Sequence, residues 1–161
     1  MKASVQTICV MFALAVASCG ETDSPVKATR NRVVFSGANA NALFQQCSRG
    51  VPTPGDGEWR PTEADLDAFE AELPKALAKQ PEATDADSGN PLASWRKQYV
   101  GIVRGKQRFI YGNFFPASMA VEFDDWRLQP VMVCDGGPSF FGAEFDVSAR
   151  RITHLQFNGE A

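Results

Sequence analysis

A single histidine, His154, is present in 161 residues, so every mechanism that needs an imidazole has one candidate. Four cysteines occur, at Cys9, Cys19, Cys47 and Cys134, and none is paired at the two-residue spacing of a redox dithiol. One histidine and two distant cysteines are also too few for a tetrahedral zinc site. The glycines of Asp135-Gly136-Gly137-Pro138 lack the lysine and the following helix of a phosphate cradle, so they read as a tight turn with Gly136 at positive φ. Basic charge is not in excess, with 16 Lys and Arg against 19 Asp and Glu, which argues against general nucleic-acid binding. The apolar run from Ile8 to Val16 is far shorter than the roughly 20 residues of a membrane-spanning helix. No residue set points to a metal or a cofactor.

What the N-terminus does have is Lys2 ahead of that short apolar run, the pattern of a processed targeting segment. Val16-Ala17-Ser18-Cys19 closes it, with small residues directly before a cysteine. This resembles the lipobox of bacterial lipoproteins. The resemblance implies cleavage after Ser18, diacylglycerol on the Cys19 thiol, and a persistent tether, since two or three acyl chains hold where one does not. A glycine after the cysteine goes, in that family, with sorting to the outer membrane, facing the periplasm. Ala15-Val16-Ala17 also satisfies a simple secretory cleavage rule, which would leave Cys19 in a soluble product. Cysteine parity favours lipidation: with Cys9 discarded and Cys19 acylated, Cys47 and Cys134 remain as a pair. Exported proteins meet oxidising conditions, so those two are expected to form a disulfide.

Three segments follow: 1–18 as signal peptide, 19–31 as a lipidated flexible tether, and 32–161 as one domain. The tether's polar composition gives it a span of about 20 Å. Lys2 is the leader's only charged residue, so 15 basic and 19 acidic residues leave the processed chain at −4. Its 143 residues suffice for one core. Eight of the twelve phenylalanines lie from Phe109 onward, which places the sheet in the C-terminal part.

Val33-Val34-Phe35 suggests an opening strand, and Asn39 to Cys47 a brief helix. Thr62 is a candidate N-cap, with Glu63 and Asp65 in the first turn and Leu66, Phe69, Leu73 and Leu77 forming one apolar stripe. Pro74 predicts a kink or an end near Leu73. Residues 80–94 are polar. Within them Asp85, Asp87, Gly89 and Asn90 misplace the glycine of a calcium loop and put Arg96 where its closing glutamate belongs, so an acidic loop is expected. From Tyr99 the period changes to two. Tyr99–Val103 and Phe109–Tyr111 flank a turn at Gly105, and further strands are expected at Val131–Cys134, Phe141–Val147 and Ile152–Phe157. The fold class expected is α+β, with one main helix on a four- to five-stranded antiparallel meander. That order, and the closing hairpin Glu144 to Ile152, is similar to cystatin-like and PepSY-like modules of bacterial envelope proteins.

Candidate chemistry is sparse. His154 falls opposite Thr153, Leu155 and Phe157 on its strand and is expected to face solvent. Ser139 and Asp135 are near one another in sequence, yet no nucleophile elbow surrounds Ser139. Asp124 and Asp125 adjoin Trp126, but adjacent residues on a strand point apart, and a turn with Trp126 capping the core is expected. Arg96, Lys97, Arg104, Lys106 and Arg108 form a basic set around the first hairpin. They read as the charged guard of an edge, or as partners of the acidic helix or of anionic lipid. Phe114-Phe115 and Phe140-Phe141 are adjacent aromatic pairs, and one member of each is expected outside a single core. Phe114, Phe115, Phe140 and Trp126 are therefore the candidate contacts for a partner. The resulting functional expectation is a membrane-anchored envelope lipoprotein acting as a non-catalytic binding or inhibitory module. A structural or assembly lipoprotein is the alternative, and a hydrolase using His154 with a nearby carboxylate the third.

Overall fold

In a computed structural model, residues 31–81 and 94–160 are described. The signal peptide, Cys19 and its tether as far as Arg30, and the acidic residues from Asp85 to Asn90 lie outside them. The elements are β1 (Arg32–Val34), α1 (Ala38–Leu43), β2 (Gly57–Trp59), α2 (Glu63–Leu77), β3 (Trp95–Arg104), β4 (Gln107–Pro116), β5 (Phe141–Asp146) and β6 (Arg151–Phe157). The fold is α+β, with one main helix and a six-stranded, mostly antiparallel sheet. Its order runs β1-β3-β4-β5-β6. Two short strands share the outer edge of β3: β1 pairs parallel with Lys97–Tyr99, and β2 antiparallel with Gly101–Val103.

Helix α2 starts where its sequence caps it. Thr62 Oγ1 accepts from the Asp65 amide, and the Asp65 carboxylate accepts from the Thr62 amide, a reciprocal capping box. Leu66, Phe69, Leu73 and Leu77 are all buried against one sheet face. Full burial of each large apolar side chain contributes about 1.5–3 kcal/mol. Pro74 does not end the helix, which runs on to Leu77. The buried Leu73 and Leu77 on either side of it hold the last turn against the sheet, so tertiary packing overrides the missing donor. Across that face Phe114, Phe141 and Phe157 form an aromatic row on β4, β5 and β6. The Phe114–Phe141 centroids are 4.5 Å apart, and those of Phe141–Phe157 are 5.5 Å apart.

The opposite face is covered too. α1 and the residues after it bury Leu43 and Phe44 with Val100, Ile102, Phe109 and Tyr111. The connection between β4 and β5 buries Phe115, Trp126, Val131 and Phe140. The disulfide Cys47–Cys134, with Cα atoms 5.2 Å apart, joins these two covering segments.

Several sequence expectations change. Val131–Cys134 is no strand: the Val131 amide donates to Gln98 Oε1, and the Val131 and Val133 carbonyls accept from Asn113 Nδ2 and Asn158 Nδ2. Buried backbone there is satisfied by side chains instead of a ladder. The first hairpin, turning at Gly105 with φ 60°, lies in the middle of the sheet and not at its edge. Its basic residues are dispersed accordingly. Lys97 pairs with Glu70 of the acidic helix, Arg104 with Glu144, and Arg108 stacks on Trp59. In the glycine turn, Gly137 takes the positive φ of 53°, while Gly136 sits at −79°.

Candidate functional site

Two dense polar clusters are structural in character. Arg32, on β1, meets three carboxylates of α2, those of Glu63, Asp67 and Glu70. Glu70 also accepts from Lys97 Nζ at 2.6 Å and Tyr99 Oη at 2.9 Å. On the other face the buried Arg49 guanidinium donates to Asn158 Oδ1 and Asn113 Oδ1, each at 2.5 Å, and to Tyr111 Oη at 3.4 Å. All three of its nitrogens are engaged, so this arginine ties the segment after α1 to the sheet.

The four aromatics picked as partner contacts do not reach the surface. Phe114 and Phe115 are fully buried, and Trp126 and Phe140 are 2% and 5% exposed. Adjacent aromatics on one strand can both be buried here because the sheet is covered on both faces. Phe114 and Phe141 join the α2 core, and Phe115 and Phe140 the opposite one. Asp125 sits in a turn, its carbonyl accepting from the Leu128 and Gln129 amides, and Trp126 packs beneath it with Arg127 4.2 Å from its ring centroid.

His154 is half-buried, with Nε2 3.1 Å from the Gly50 carbonyl oxygen. Among the described residues no carboxylate or hydroxyl is hydrogen bonded to that ring. Thr153 does not share a face with Leu155. Glu144 pairs with His154 and Phe145 with Ile152, so Thr153 is the extra residue of a bulge, and its hydroxyl donates to Glu144 Oε1 at 2.8 Å. Among the described residues no group of three or more His, Cys, Asp or Glu is placed to hold a metal ion. None of their helices is long and apolar enough to cross a membrane.

The place where surface, charge and unpaired backbone coincide is the edge of β6. Two clefts meet there, sharing Gln80 and Leu155. One, about 470 Å³, lies between the C-terminal half of α2 and β6, with Lys75, Lys79, Arg151 and His154 along it. The other, about 430 Å³, continues past Gln156 to Ser48 and Gly159. Lys75 shares its charge with Glu72 at 3.0 Å, whereas among the described residues Lys79 and Arg151 have no ion-pair partner. Both are exposed. A chain of net charge −3 thus presents a locally basic trough. Comparison with family models, curated proteins and solved structures found no match to the chain.

Sequence reading passed over Lys75, Lys79 and Arg151. Lys75 and Lys79 close a helix, where cations complement the dipole, and Arg151 follows a turn. Only the topology, which puts β6 at the end of the strand order among the described residues, brings them to one groove.

Proposed function

We propose that this chain is a lipid-tethered envelope module that holds a partner without transforming it. Cys19 carries the anchor, on the periplasmic side of the outer membrane, and the domain binds through the groove beside β6. The observation that carries the reading is the coincidence of an open strand edge, a helix wall and two uncompensated cations in one trough. A single anchored domain of this kind keeps its partner near the bilayer, where attachment raises the local concentration of both.

Photo-reactive residues placed at Lys79 and Gln156 test it in intact cells. A discrete cross-linked protein from these positions, and none from Asn39 or the exposed Leu128, which line neither cleft, is the expected result. No adduct from the groove positions would favour the structural lipoprotein instead. Labelled palmitate should enter the protein and vanish with Cys19→Ser; its absence from the parent protein would remove the tether.

A further inference from the structure

We propose that the groove takes an extended acidic peptide segment, which adds to the free edge of β6 as a further strand. The proposal rests on the binding-module reading above and names the partner's chemistry. β6 ends the strand order, so one side of it lacks a strand partner among the described residues. Phe157 faces Phe141 and Leu155 faces Ala143, while the Asn158 amide donates to the Phe140 carbonyl at 2.9 Å. Antiparallel pairs alternate between bonded and unbonded positions, so the Leu155 amide and carbonyl point away from β5. They are available to an incoming backbone.

The wall of the trough supplies the rest. α2 runs beside β6 with Ala76, and Lys79 just past its end, lining the cleft, and a strand edge flanked by a helix is an arrangement in which extended peptides add to sheets. Seven residues of β6 span about 23 Å, room for a segment of similar length. Side chains of an added strand alternate between two directions. On the α2 side they meet the partly buried Ile152 and Leu155, with Lys79 at the helix end, and on the other side Arg151, which lies opposite Asp146 in register. An alternation of apolar residues with Asp or Glu satisfies both. Basic charge on an edge also guards it against its own kind. A second copy would bring the same cations into one groove, whereas an acidic strand would neutralise them.

The test is selection of displayed random octapeptides on the full lipidated protein in detergent micelles. The recovered pool is expected to alternate apolar and acidic residues. For a synthetic member of that pool, methylating alternate backbone nitrogens, with every side chain kept, should weaken binding about tenfold or more, since the backbone hydrogen bonds to the strand edge are lost. Lys79→Glu with Arg151→Glu should weaken it by a similar factor, the two residues being exposed and without an ion-pair partner among the described residues, so that the circular dichroism spectrum and melting temperature stay at the parent values. A pool without acidic enrichment, binding indifferent to N-methylation, or a protein that instead pairs with itself through β6 would overturn the inference. If that happens while groove positions still cross-link a partner in cells, the binding-module reading stands and only the partner's chemistry is wrong. If cross-linking fails too, both fall.

Discussion

Replacing Glu70 with alanine should be among the most damaging single changes on α2, although Glu70 is not a member of the apolar stripe. Its carboxylate is 2.6 Å from Lys97 Nζ, 2.9 Å from Tyr99 Oη and 3.2 Å from Arg32 Nη1. The Lys97 side chain is only 3% exposed, so removing its counter-charge strands an ammonium in a poorly hydrated site. Breaking a buried pair from one side costs about 3–5 kcal/mol. Asp67 is a control on the same helix: it also holds Arg32, at 2.8 Å, but is 69% exposed, and pairs of that kind contribute about 1 kcal/mol or less. Urea unfolding followed by tryptophan fluorescence should separate the two variants by at least about 2 kcal/mol. A triple variant, Glu70→Leu with Lys97→Met and Tyr99→Phe, removes every polar group the cluster would orphan and should recover most of the loss, because an apolar replacement of a buried pair is often neutral or better. Equal cost for Glu70→Ala and Asp67→Ala, or a triple variant no more stable than the single one, would refute the reasoning.

Both tyrosines of the chain hold their protons above the ordinary phenol range, Tyr99 well above it through burial and the charge of Glu70, and Tyr111 through burial against the opposing effect of Arg49. The unfolded chain loses those protons near pH 10 and the folded one does not, so their contribution is complete below pH 10 and is lost as pH rises beyond it. Stability should then fall by up to about 1.4 kcal/mol per pH unit for each tyrosine, and Tyr99→Phe should reduce that slope; phenolate absorbance appearing before unfolding would contradict this. Reducing Cys47–Cys134 frees a loop with a sequence separation of 87 and should cost at most about 4.5 kcal/mol, read as a lower urea midpoint in dithiothreitol; an unchanged midpoint would show the bond to be idle. Gly142→Ala would place a methyl 2.5 Å from Tyr111 Oη and 2.8 Å from Arg49 Nε, forcing apart the buried arginine and its partners. A loss of about 1–3 kcal/mol is expected, and a neutral result would mean that Arg49 is not fixed there.

How far the fold can be read from residues depends on which signals are local. Thr62, the apolar stripe from Leu66 to Leu77, and Gly105 between two alternating runs each carry their meaning within a few positions. β1 shows in the sequence only as the apolar Val33-Val34-Phe35 and the three residues of β2 show no period, and both exist because the long β3 offers them an edge. The paired phenylalanines are a sign of two covered faces, since a sheet with one core would leave one member of each pair exposed. Val131–Cys134 is apolar enough for a strand, and what prevents one is Gln98, Asn113 and Asn158, distant in sequence, taking its hydrogen bonds. The groove was the least legible part. Lys79 and Arg151 are unremarkable as single residues and gain significance only when the strand order leaves β6 at the margin.

Amide hydrogen exchange at Leu155 tests the account most directly. In the free protein this amide should exchange far faster than those of β5, which lie between two strands, and a bound partner or selected acidic peptide should slow it at least tenfold, the effect of about 1.4 kcal/mol of added protection. An amide already protected in the free protein, or one left unchanged while protection appears over residues 122–133, would contradict the placement of the binding surface at β6.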